Sequence, residues 1–144
     1  MEETLLTAPT NYKLYKDQSI YVGTLLGGPL VASFLIAENF KNLGQRKKVK
    51  ATWAIGVAAT VTIFWIAYSI PSNIKIPNFL IPLVYSVIAQ NLVKHFQGKE
   101  IKAHLASGGQ VYSVWHAVLA GLVGLIILLV IILGMTYYQM QDAQ

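Results

Sequence analysis

The stretch GGPLVASFLIAENF, Gly27 to Phe40, places two glycines and a proline inside an apolar run and ends that run on Glu38-Asn39. Its left flank is apolar as well. No Asp, Glu, Lys or Arg occurs from Gln18 to Ala37. The same holds for Ala51–Ile74, Ile76–Val93 and Ala103–Gln141. A hydrocarbon core about 30 Å thick needs roughly 20 apolar residues in a helix, and each window supplies about that. A soluble bundle would need charge recurring every turn or so on its outer faces. These windows carry none.

Composition agrees. Of 144 residues, 55% are hydrophobic and only 12% charged, against about 25% charged in an average soluble domain. The expected fold is an all-α integral membrane protein of four transmembrane helices. The spans fall at about Ile20–Ala37, Ala51–Ile70, Ile76–Val93 and Val111–Tyr138. Together they form one domain over 20–144. Residues 1–19 make a polar tail, either flexible or a short surface helix carrying Tyr12 and Tyr15. The opening MEETLLTAP is acidic and polar where a signal peptide is basic, so the first apolar run is expected to stay in the membrane.

With four crossings, connections 38–50 and 94–110 share one face, and both termini share the other with the short connection around Lys75. The first connection carries Lys41, Arg46, Lys47, Lys48 and Lys50, and the third carries Lys94, Lys99 and Lys102. Against these eight, the opposite face has Lys13, Lys16 and Lys75. The positive-inside rule puts the eight in the cytoplasm and both termini outside. The net charge of +5 therefore reflects topology and attraction to anionic lipid, about 1 kcal/mol per basic side chain near the surface. Nucleic acid is not an expected partner. Span four, about 42 Å long at 1.5 Å per residue, is expected to protrude at its outer end.

The opening stretch has a second copy. PLVASFLIAENFKNLGQRKKVKA from Pro29 aligns with PLVYSVIAQNLVKHFQGKEIKA from Pro82 once one residue is deleted after the serine. Eleven of the 23 positions from 29 to 51 match, among them Pro29/Pro82, Asn39/Asn91 and Lys47/Lys99. A tandem repeat of two parallel helical hairpins is expected. Inverted repeats, common in transporters, do not fit this threading.

The candidate polar positions follow from the copies. Pro29 and Pro82 kink their helices or break them to expose backbone. Glu38, Asn39, Gln90 and Asn91 sit at the ends of spans one and three, and Gln90 in place of Glu38 shows that a charge is not common to both copies. Gly23 and Gly27 form a GxxxG packing face, and Ala117 with Gly121 offers small residues at the same spacing. Catalytic signals are absent from the sequence. There is no cysteine, no GxSxG elbow and no GxxxxGK[ST] phosphate loop. His95, His104 and His116 lack the i, i+4 spacing of a helical metal pair. No cofactor or metal is expected, and the chain reads as non-enzymatic.

The pieces LGGPL, ENFKNLG and QGKEIKAHLASGG resemble a group of small, uncharacterised bacterial inner-membrane proteins of four helices. That resemblance implies a bacterial membrane protein and no activity. Three functions are weighed. The leading one is an accessory or assembly subunit, or a homo-oligomer, acting by helix association. The alternative is a small channel or transporter with a path near Pro29, Glu38 and Asn91. The third is a lipid-modifying enzyme using the histidines.

Overall fold

The computed structural model describes residues 11–143. Four helices account for nearly all of them: α1 (Asp17–Asn42), α2 (Arg46–Ser69), α3 (Leu80–Ala106) and α4 (Val114–Asp142). Two short strands, β1 (Lys13–Leu14) and β2 (Gln110–Val111), pair in parallel. Three helices, α1, α2 and α4, are long and apolar enough to cross a membrane by length and composition.

One of those three is not a straight rod. Within α1, Gly28 has φ 81° and ψ −171°, a backbone region open essentially to glycine alone. The chain reverses there. In an unbroken helix Tyr15 and Asn39 would stand about 36 Å apart at 1.5 Å per residue. Instead the Tyr15 amide donates to Asn39 Oδ1 at 2.7 Å. A Cβ built on Gly23 would lie 2.7 Å from Leu35 Cδ1, so the two arms also touch midway. The arms Asp17–Gly27 and Pro29–Asn42 are about 16 Å and 21 Å long, and each reaches roughly half to two thirds of the way through a hydrocarbon core.

The expected crossing over Ile20–Ala37 is therefore corrected to a helical hairpin with its apex at Gly28. The expected placement of both termini on one face assumed that single crossing. The N-terminal segment returns to the end of the molecule that holds the basic connections. The expected tail is also too long. Tyr12 and Tyr15 belong neither to a free tail nor to a surface helix, because Leu14 and Tyr15 are buried and β1 pairs with β2. Residues 1–10 lie outside the described residues.

Both prolines occupy first turns. Pro29 opens the second arm, and Pro82 is the third residue of α3. The amide that proline lacks has no intrahelical acceptor at those positions, so the interior cost of about 3 kcal/mol does not arise. Neither proline kinks a continuous helix. The matched serines behave alike: Ser33 Oγ donates to Pro29 O at 2.9 Å and Ser86 Oγ to Pro82 O at 2.7 Å.

The second arm and α3 end in the same way. Gly44 (φ 76°) and Gly108 (φ 78°) take the left-handed position after each helix. Gln45 N then donates to Phe40 O, and Gly109 N to His104 O, each at 2.8 Å. These are Schellman turns, which satisfy the last carbonyls of a helix. Ser113 caps α4 by accepting from Trp115 N at 3.4 Å.

The hairpin is the centre of the fold. It packs against α2, α3 and α4 in turn, while among the described residues no two of those three share an extended interface. The helix–helix contacts are made by small residues. A Cβ on Gly27 would stand 2.8 Å from Gly121 O, and one on Gly23 would stand 2.9 Å from Ala117 O. Gly56, the one buried residue of α2, rests on Ser33. Lipid tails are as apolar as leucine, so close backbone approach, and not apolar transfer, holds such helices together.

Candidate functional site: a polar lock at the basic end

At the basic end, the mouth of the hairpin is closed by amide side chains. Asn39 is fully buried. Its Oδ1 accepts from Tyr15 N, and its Nδ2 donates to Tyr15 O at 2.9 Å and to Gln97 Oε1 at 3.0 Å. Gln97, also fully buried, donates from Nε2 to Ile36 O at 3.0 Å. One asparagine and one glutamine thus tie the entry of the first arm, the end of the second arm and the middle of α3. All four atoms of the two amides are used. In a low-dielectric site that completeness makes such a network rigid.

A second layer lies below the lock. Asn42 Nδ2 donates to Lys13 O at 2.9 Å, and Tyr112 N donates to Leu14 O at 2.9 Å. Tyr15 stacks on Tyr112 with ring centroids 4.3 Å apart, and Tyr12 stacks on His104 at 4.9 Å. His104 is buried, with Nε2 2.6 Å from Gln110 O. Burial raises the Tyr15 phenol above its ordinary range, and the neighbouring Tyr112 and Glu38 add to the shift. An ionic layer flanks the lock. Asp17 Oδ2 lies 3.7 Å from Lys94 Nζ and accepts from Gln90 Nε2 at 3.1 Å.

The sequence-derived positions divide. Gly23, Gly27, Ala117 and Gly121 meet in one α1–α4 seam. Asn39 is the hub of the lock, whereas Asn91, which the sequence aligns with it, is exposed. The difference follows from what each helix packs on. Asn39 faces the returning first arm, and α3 has no such arm on the Asn91 side. The glutamines are unequal too: Gln97 is paired, while Gln45 Oε1 is buried without a partner among the described residues. Glu38 is half-buried and lies 3.7 Å from Lys41. Gln90 serves Asp17. Pro29, Glu38 and Asn91 do not converge on a common path.

Arg46, Lys47, Lys48 and Lys50 stand exposed in the first turns of α2. The N-terminal end of a helix dipole disfavours cations by about 0.3–1 kcal/mol each. Their place is thus not explained by helix stability. His95 and His116 are exposed while His104 is buried, and no group of three metal-binding side chains forms among the described residues. Nothing local in the sequence marks Tyr15 and Gln97 as the partners of Asn39. The alignment of Gln97 with Gln45 is the one sequence signal that touches either of them.

Comparison with protein-family models, with curated proteins and with solved structures found no match to this chain.

Proposed function

We propose that the chain is an integral membrane subunit, of a bacterial inner membrane, that works by helix association. The hairpin enters from the cytoplasmic face and returns to it, and α2 and α4 cross. Helix α3, less apolar than the helices that qualify as spans on their own, crosses against the second arm of the hairpin. With the N-terminal segment at the basic end, Lys13 and Lys16 join the eight basic residues already there. Only Lys75, of the 11 Lys and Arg residues, remains opposite. Ten against one satisfies the positive-inside rule better than eight against three. The C-terminus then lies outside.

One observation carries the association reading. Beyond the hairpin apex the three crossing helices have nothing between them. Every described residue of α4 from Leu129 onward is exposed on all sides, as is α2 from Phe64 to Ser69. Helices in a bilayer are fixed by close packing against other helices. The cytoplasmic halves have that packing from the hairpin, and the outer halves lack it. A second copy or a partner subunit would supply it. The basic face would hold anionic lipid and keep the complex oriented.

Conduction and catalysis have less support. Thr24, Ser33 and Thr62 each bond a carbonyl of their own helix, and the apex glycine faces Leu128. The test is a single cysteine at Ile131 in a chain that has none of its own. Thiol crosslinking in native membranes should trap a defined dimer or heteromer. Strictly monomeric protein at native expression would overturn the proposal.

A further inference from the structure

Because α2 and α3 both lean on the hairpin without packing on each other, a cleft of about 590 Å³ opens sideways between them. Its floor is the second arm, with Pro29, Ala32, Ile36 and Phe40. Its walls are apolar, from Ile55 and Ile63 on one side to Ile88 and Leu92 on the other. The hydroxyls that line it are mostly spent. Thr24, Ser33, Thr52 and Thr62 donate to Ile20, Pro29, Lys48 and Ala58 carbonyls at 2.6–2.9 Å, and Tyr85 supplies the other hydroxyl. The cleft therefore offers little to an ion, a sugar or a nucleotide.

Its one charged wall residue is Lys48, at the basic end. The Lys48 ammonium stands 5.4 Å from the centroid of the Phe40 ring. Glu38 and Asp17 are engaged by Lys41 and Lys94, and no described carboxylate lies within 4 Å of Lys48. Along α2 the lining runs from Lys48 to Ile63, about 22 Å at 1.5 Å per residue. One leaflet is about 20–22 Å deep with its headgroup region, about 15 Å of it hydrocarbon. A cation at the interface above a dry lateral groove of leaflet depth matches one kind of molecule in both charge and shape.

We propose that this cleft holds an anionic phospholipid, one acyl chain lying against Ala32, Ile36 and Ala59 and the phosphate paired with Lys48. The site uses the inward face of α2 and is independent of the association reading, which concerns the outer halves of α2 and α4. The bound chain fills the gap between α2 and α3 and joins them through lipid in place of direct contact.

The test is native mass spectrometry of the full chain released from bilayers of equal phosphatidylglycerol and phosphatidylcholine. The wild type should retain phosphatidylglycerol preferentially. Lys48→Gln should lower that preference about fivefold, the factor equivalent to about 1 kcal/mol per basic side chain near an anionic surface. Lys75→Gln, at the opposite end, should leave it unchanged. Ala59→Leu, which narrows the cleft, should reduce retention of both lipids. Should Ala59→Leu fail to fold, the two exposed lysine variants still decide. Equal loss from Lys48→Gln and Lys75→Gln, or no retained lipid in the wild type, overturns the site. So does a copy-to-copy crosslink through Ile55→Cys, which would place a second chain in the cleft. A monomer that keeps phosphatidylglycerol through Lys48 would refute association and leave this site standing.

Discussion

Replacing Asn39 and Asn91 separately by leucine should give opposite results, although the sequence pairs them in the repeat. Asn39→Leu removes three buried hydrogen bonds, to Tyr15 N, Tyr15 O and Gln97 Oε1. It takes these partners from the Tyr15 amide, the Tyr15 carbonyl and the Gln97 carbonyl oxygen in a dry site. Each lost bond costs about 1 kcal/mol net and each stranded group about 1–3 kcal/mol. Allowing for partial relaxation, the loss is about 3–5 kcal/mol. Asn91 is exposed, and its replacement should stay within about 0.5 kcal/mol. The assay is unfolding by SDS titration in mild micelles, followed by far-UV circular dichroism. Amide exchange at Tyr15 reads the lock itself. Exchange should speed up strongly in Asn39→Leu and not in Asn91→Leu. Equal destabilisation by the two variants, or a Tyr15 amide still protected in Asn39→Leu, would refute the lock. Asn39→Asp sharpens the test. A carboxylate can accept from Tyr15 N but cannot donate to the other two oxygens, so that carboxyl is held protonated in the fold. Such a raised folded value favours stability at low pH, and stability should fall as pH rises.

Three further outcomes follow from the geometry. Gly28→Ala should cost about 1–3 kcal/mol from backbone strain alone, because the nearest atom to the added Cβ, Leu128 Cδ1, stands at a comfortable 3.6 Å; thermal unfolding in micelles measures it. Gly121→Val should part α4 from the hairpin, since its Cβ would meet Leu26 Cβ at 2.8 Å and Gly23 O at 2.9 Å; a lowered midpoint of thermal unfolding in micelles, with faster amide exchange along Gly23–Gly27, reports the separation. Tyr15, with its phenol pushed up by burial, should stabilise the docked N-terminal segment evenly through neutral pH. An acid whose folded value is raised loses that stability as pH climbs past the ordinary tyrosine value of about 10, and Tyr15→Phe should flatten the alkaline limb of the unfolding curve.

Much of the fold is legible in the sequence. Each charge-free window overlaps a helix, and the basic residues mark one end. But α3 begins at Leu80 and runs on through Lys94, Lys99 and Lys102 to Ala106, and α2 begins at Arg46, so much of both expected connections is helical. The hairpin is not legible from hydropathy, because an apolar run of twenty residues reads the same whether it crosses or doubles back. Two local signals point to it. Gly27-Gly28-Pro29 is turn chemistry, and proline there opens a helix more comfortably than it interrupts one. Charge is the other: moving Lys13 and Lys16 to the basic end improves the asymmetry. The lock is harder to see. Asn39 and Asn91 look equivalent along the chain, and only the returning first arm makes one of them a hub. Lys48 looks like any member of its cluster until α3 supplies the far wall of the cleft.

Maleimide labelling of single cysteines addresses the hairpin most directly, in a chain with no cysteine of its own. Lys16→Cys, Ser107→Cys, Asn73→Cys and Ala143→Cys all replace exposed residues. In intact cells a membrane-impermeant reagent should reach Asn73→Cys and Ala143→Cys. It should reach Lys16→Cys and Ser107→Cys only after the membrane is opened. If Lys16→Cys labels in intact cells together with Asn73→Cys, α1 crosses the bilayer as a single span and the re-entrant hairpin is wrong.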